Sequence, residues 1–216
     1  MLKSLKAFFQ KKSEGLVGVA TTIILWIFLI FIAVFVFMVG AYNSVASSVR
    51  NALSDTNLAV STISFVDFGN NQSIHVCGKS YIMKKFLPQH EYTDEVFAQY
   101  KDAIAVNLEL ENNGVTLSRD DFLYGGTITI EYFTIYNYYE EDNSYDVITY
   151  NSSGLVSIDH LYGPLTAPNG QSVHGTSVYS QISFPVKGYF AVFTGDFNTY
   201  GQGAVAHIGQ LSGITI

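Results

Sequence analysis

Residues 23–39 (IILWIFLIFIAVFVFMV) carry no charge and no hydrogen-bonding side chain other than the indole of Trp26. Extended outward to Leu16 and Tyr42, the stretch is 27 residues long, broken only by Thr21, Thr22 and small glycines. About 20 apolar residues in helical form cross the ~30 Å hydrocarbon core of a bilayer, so this segment crosses one with tilt to spare. A buried helix of a water-soluble domain would show one polar face. Here every face is apolar. The first expectation is therefore a transmembrane helix, and a chain of 216 residues leaves room for one domain beside it.

Charge then orients the helix. Lys3, Lys6, Lys11 and Lys12 precede the apolar run against Glu14 alone, whereas seven basic and seventeen acidic residues follow it. Lysine concentrates on the cytoplasmic side of membrane helices. This predicts a cytoplasmic N-terminus, a single pass through the cell membrane and an extracytoplasmic C-terminal domain. A domain carrying that acidic excess argues against nucleic acid as a partner, since phosphate binding needs a basic face. Cys77 is the one cysteine, so an intrachain disulfide is excluded and a buried, inert thiol is the simplest expectation.

Val39-Gly40-Ala41 and Ser44-Val45-Ala46 each match the small-x-small pattern of a signal-peptide cleavage site. The apolar run exceeds the roughly 7–15 residues of a signal h-region, and the sequence beyond it stays helical in pattern. A retained anchor is the expectation, and no lipid-attachment motif is present. Beyond the membrane segment, Tyr42, Val45, Val49, Leu53, Val60 and Ile63 recur at intervals of three, four and seven, forming an apolar stripe on one helix face. No proline or glycine interrupts residues 42–66. One helix over residues 16–63, about 70 Å long, is predicted, its second half amphipathic and suited to lie against a sheet.

The chain then changes character. Phe68-Gly69-Asn70-Asn71 signals a turn, and a short strand is expected at 73–77. Thr93, followed by Asp94 and Glu95, reads as the cap of a helix ending near residue 108. Residues 127–137 (TITIEYFTIYN) alternate and are rich in β-branched and aromatic types, so they form the clearest strand. Further strands are expected at 145–150, 177–186, 189–194 and 213–216, with an exposed loop at 162–175. The organisation predicted is a leader or tail over 1–15, a transmembrane helix over 16–42, an amphipathic extension over 43–64 and a β-rich extracytoplasmic domain over 65–216. The fold class is α+β: a long helix, then an antiparallel sheet.

Chemistry is sparse. Gly78-Lys79-Ser80 lacks the earlier glycine of a phosphate loop, because position 73 is serine. The five histidines have no metalloprotease spacing, no Gly-x-Ser-x-Gly elbow occurs, and a His75–Cys77 pair on one strand has no fixed hydrogen bond. Asp159-His160 reads as a solvated turn. No catalytic residue, cofactor or resident metal is expected; Glu140, Glu141, Asp142 and Asp146, at a hairpin tip, are the candidate calcium ligands set against an ordinary solvated turn. Fifteen tyrosines sit almost wholly outside the apolar run, most of them expected in a two-layer core and the remainder offering contact surface.

Lys11-Lys12-Ser13-Glu14-Gly15 running directly into the long apolar helix resembles the start of type IV pilin-like proteins, and the architecture is most similar to TadE-like minor pilins of bacterial tight-adherence systems. The resemblance covers about the first 60 residues. It implies cleavage by a prepilin peptidase after Gly15, with Leu16 as the new N-terminus. It also implies partners among pilin-like subunits and assembly machinery. In that family a glutamate stands five residues after the cut; here the position is Ala20, so the charge pair it makes with a neighbouring subunit's amine is missing. That departure argues against a major, polymerising pilin and leaves minor or uncleaved relatives as the expectation. The alternatives are a single-pass protein with an extracellular binding or adhesion domain unrelated to pili, and an anchored enzyme whose His, Asp or Ser residues converge in a pocket.

Overall fold

The computed structural model of the chain describes residues 2–61, 74–77, 90–111, 116, 126–185 and 205–213, with side chains from residue 18 onward except at 90–92, 185 and 205–206. The protein is α+β, with a long apolar N-terminal helix and a five-stranded antiparallel sheet. It divides into two compact units, Met1–Val45 and Ala46–Ile216.

Helix α1 is Leu2–Val60. It begins earlier than expected, because the lysine-rich tail contains no helix breaker before Gly15 and lysine is itself a good helix former. Over Gly18–Val60 it is long and apolar enough to cross a membrane. Between Ile23 and Phe37 nearly all its large apolar side chains point outward, Trp26 being 62% exposed and Phe37 70%, whereas Met38 is buried. Thr22 donates its hydroxyl to the Gly18 carbonyl at 2.9 Å, which satisfies a polar group within the helix itself.

In the second unit, Val49, Leu53, Thr56, Asn57 and Val60 of α1 are buried. Asn57 Nδ2 donates to the main-chain oxygens of Gln210 at 3.0 Å and Val178 at 3.4 Å. Helix α2 is His90–Asn107. Thr93 lies inside it rather than capping it, and its hydroxyl meets the Tyr150 hydroxyl at 2.5 Å. A tertiary partner thus takes the group that would otherwise cap the helix.

The sheet has the order β3-β2-β1-β6-β7. Strand β1 is Thr129–Tyr139, β2 Ser144–Asn151, β3 Gly154–Tyr162, β6 Ser177–Pro185 and β7 Val205–Gly213. Strand β1 starts and ends two residues later than expected, a shift that preserves which side chains share a face. The expected solvated turn at Asp159-His160 is instead the middle of β3. Asn151 accepts from the Ser153 amide, and Gly154 takes φ +114°, so a two-residue turn sends the chain back along β2. The expected exposed loop at 162–175 contains a small hairpin, β4 (Leu165–Thr166) with β5 (Ser172–Val173). Ala167 and Val173 of this hairpin are buried with Tyr136, Tyr145, Val147 and Tyr179. Strand β7 is unexpected over most of its length, since its glycines hide it, and of the strand expected at 213–216 only Gly213 is described. Residues 74–77 form a single bridge position at Val76 rather than a strand. The turn at 68–71, the strand at 189–194 and Gly78-Lys79-Ser80 lie outside the described residues.

An aromatic layer joins α2 to the sheet. Tyr100 lies 4.3 Å from Phe133 and Phe97 4.7 Å from Tyr150, ring centre to ring centre. Phe133 and Tyr100 are fully buried. Phe133→Ala is expected to destabilise the domain by about 3–5 kcal/mol, measured as a shifted urea midpoint. A loss under about 1 kcal/mol, the size of an ordinary substitution, would contradict this layer's place in the core.

Candidate functional site

The register between β1 and β6 slips by one: Ile130 faces Ile182 and Tyr132 faces Gln181, which leaves Glu131 as the extra residue. A bulge of this kind re-aims side chains and often borders functional sites. Glu131 and Tyr132 both come to the side of the sheet that carries Gln181. A second bulge, at Val156 of β3 where Thr149 and Tyr150 of β2 face Ser157 and Leu155, lies toward the same end. Here the Ser152 amide and hydroxyl both donate to the Ile130 carbonyl, at 3.0 and 2.9 Å.

The result is an open cleft of ≈ 560 Å³. Glu131, Tyr132, Gln181 and His207 form one side of its lining, and the turn Asn151–Ser153 contributes the other. Glu131 Oε1 meets His207 Nδ1 at 2.7 Å, and its Oε2 accepts from Gln181 Nε2 at 2.5 Å. Tyr179 donates its hydroxyl to Gln181 Oε1, also at 2.5 Å. The directions follow from chemistry. An ionised carboxylate only accepts, so Gln181 must turn its NH2 toward Glu131, which leaves its oxygen for Tyr179. His207 must likewise carry its proton on Nδ1, so that in the neutral ring Nε2 is an acceptor.

Partial burial pushes the Glu131 carboxyl up, but hydrogen bonds from Gln181, His207 and Ser183 and the charge of His207 outweigh it and leave the carboxyl below its ordinary range. Gly209 belongs to the same arrangement. A Cβ at this position would collide with the Tyr179 ring hydroxyl, and its Cζ would lie 2.9 Å away. Only glycine lets the tyrosine cross β7 to reach Gln181. Chemically, the cleft offers one ionised carboxylate, one imidazole nitrogen, amides and hydroxyls, and the ring of Tyr132, which is 43% exposed.

A second polar cluster occupies the opposite face of the sheet. Asp146 accepts from the Tyr139 hydroxyl at 2.8 Å and meets His160 Nδ1 at 2.6 Å. The His160 ring stands edge-on to Tyr162 at 5.0 Å, and His75 lies 4.7 Å from Tyr139. His75 and Cys77 are both buried. Asn137 holds the segment between them by accepting from the Val76 amide at 2.7 Å and donating to its carbonyl at 3.2 Å. This cluster fastens residues 74–77 to the end of β1.

Of the four candidate calcium ligands, Asp146 lies within this cluster, whereas Glu140, Glu141 and Asp142 are exposed at the β1–β2 turn. Asp142 accepts from the Ser144 hydroxyl at 2.6 Å. Among the described residues, no three His, Cys, Asp or Glu side chains are grouped so as to hold a metal ion. Gly15, Leu16, Lys3, Lys6, Lys11 and Lys12 all lie on α1. Sequence reasoning missed Glu131 and His207. The one available hint was a glutamate set inside the most apolar strand pattern of the chain. Searches against family models, curated proteins and solved structures find no match to this chain.

Proposed function

We propose that the protein is a membrane-anchored, pilin-like structural subunit, of the minor pilin or pseudopilin kind, in a surface appendage or secretion apparatus. The observation that carries this reading is the division of labour along α1. Between Ile23 and Phe37 nearly all its large apolar side chains are exposed, while Asn57 near its end gives its amide to β6 and β7. The stripe at Val49, Leu53, Thr56 and Val60 is buried. In this reading the amphipathic end of the helix is the spine on which the antiparallel sheet is laid, and the Thr56 hydroxyl, which accepts from Asn107 of α2 at 2.8 Å, ties the second helix to it. The apolar part lies in the cell membrane, with Lys3, Lys6, Lys11 and Lys12 keeping the N-terminus cytoplasmic. Gly15 is the proposed cleavage residue, and the absent glutamate at Ala20 favours a minor role. The partners are the lipid bilayer, related subunits, the assembly machinery and a prepilin peptidase.

Coexpression with a prepilin peptidase, followed by N-terminal sequencing of the membrane fraction, tests this. Mature protein beginning at Leu16 is expected. Recovery of the uncut chain, Met1 intact, would remove the pilin reading. The weight would then pass to a single-pass protein with an extracellular binding or adhesion domain, the reading that the Glu131 cleft favours.

A further inference from the structure

We infer that the cleft beside Glu131 is a binding site for a neutral saccharide. This inference stands whether or not the helix is processed and assembled, since every group it uses lies on β1, β6, β7 and the β2–β3 turn.

The lining sets the ligand's charge. Among the described residues the cleft is lined by one acidic side chain, Glu131, and by no lysine or arginine, so an anionic ligand would meet like charge there. Glu131 is not bare either. Gln181, His207 and Ser183 already supply hydrogen bonds to a carboxylate with about four acceptor positions. What remains suits one hydroxyl donor better than a full cation, which needs several free acceptors around it.

The pattern of polar groups points the same way. Glu131 and His207 Nε2 accept. Asn151, whose oxygen is taken by the Ser153 amide, is left with its NH2 as a donor. The Ser152 hydroxyl, whose proton goes to the Ile130 carbonyl, can still accept, and the Ser153 hydroxyl can do both. A ring bearing neighbouring hydroxyls, each donor and acceptor at once, matches such a mixed surface; a purely apolar or singly charged ligand does not. Tyr132 supplies the remaining element, an aromatic ring beside the carboxylate for the C–H face of a sugar to cover. Its neighbour Glu131 is held rigidly by the chain from Tyr179 through Gln181, so little ordering is needed on binding. The cleft is of ordinary ligand-site size but open, which fits a sugar approached from one side, as at the end or edge of a glycan.

The test uses the full chain in a non-glycosidic detergent, titrated calorimetrically with maltotriose, cellotriose, mannotriose and triacetylchitotriose, and separately with pentalysine. At least one trisaccharide is expected to bind with a Kd below about 1 mM. Glu131→Gln, which keeps the shape and removes the charge, and Tyr132→Ala, at an exposed position, are each expected to weaken it about tenfold or more. Absence of binding by all four sugars at about 10 mM, or binding indifferent to both substitutions, overturns the proposal. So does pentalysine binding that depends on Glu131 while no sugar binds, which would make the cleft a site for basic peptide. If Glu131→Gln fails to fold, Tyr132→Ala decides alone.

Discussion

Arginine placed together at Ile27, Phe31 and Phe35 is expected to move the protein out of the carbonate-washed membrane pellet. The three positions lie on one helix face at four-residue spacing and are 51%, 56% and 63% exposed, so the change removes little packing within the molecule. Fourteen Leu, Ile, Phe and Val residues occupy 23–39, and eleven would remain. At about −0.3 to −0.6 kcal/mol each, those eleven contribute about −3 to −7 kcal/mol to insertion. Three central arginines oppose with roughly +7.5 to +10.5 kcal/mol. The balance reverses. A single substitution would not suffice, because the surplus apolar length absorbs one charge. Should the triple variant stay in the pellet, with the β-rich domain still protease-resistant, bilayer insertion of this segment would no longer explain how the protein is held.

What was legible in the sequence followed from how local the determining forces are. The apolar helix could be read because every residue in it prefers the same environment, and no partner elsewhere is needed to decide. Strand β1 could be read because residues 127–137 are dense in β-branched and aromatic types, of which Ile130, Phe133, Ile135 and Tyr136 are buried in the structure. Strand β3 could not. It is an edge strand, and Leu155, Val156, Leu161 and Tyr162 are 40–63% exposed, so its pattern lacks the clean alternation that burial of one face imposes. The small hairpin at 165–173 was hidden for a related reason. Its turn residues were evident, but its two buried side chains, Ala167 and Val173, depend on tyrosines from three other strands.

The cleft was beyond sequence reasoning because its geometry depends on register. Glu131 and His207 are 76 positions apart and meet only through the pairing of β1 with β6 and β6 with β7. A slip of one residue would send Glu131 to the helix-covered face. The bulge that re-aims it shows only as a change of phase, the buried positions passing from Ile128 and Ile130 to Phe133 and Ile135, which the tyrosines on both sides mask. Dense carboxylates at the β1–β2 turn drew attention instead, and three of the four point to solvent. Of the tyrosines whose side chains are described, Tyr132 and Tyr162 are 43% and 63% exposed, whereas Tyr100, Tyr136, Tyr145, Tyr150 and Tyr179 are less than a tenth exposed.

Those tyrosines give the second large effect, loss of the fold in alkali. Burial pushes Tyr136 and Tyr179 up to about 12, the charges of Glu131 and the neighbouring tyrosines adding to the effect on Tyr179. Burial raises Tyr100 and Tyr150 further, and Tyr145 less, with the hydroxyls of Ser180 and Thr93 working against it at the first two. An unfolded chain ionises tyrosine near pH 10. A raised folded value means that the stabilisation is complete below that pH and disappears as pH climbs from 10 toward 12. For each tyrosine that ionises only on unfolding, stability falls by about 1.4 kcal/mol per pH unit. Even discounted for the hydroxyls nearer solvent, the group removes several kcal/mol, against a total of about 5–15 kcal/mol for a typical domain. Ellipticity of the sheet and tyrosinate absorbance should therefore change together in one cooperative step between pH 10 and 12. Gradual, independent titration of all the tyrosines near pH 10 with the sheet intact would mean that the aromatic layer is open to water.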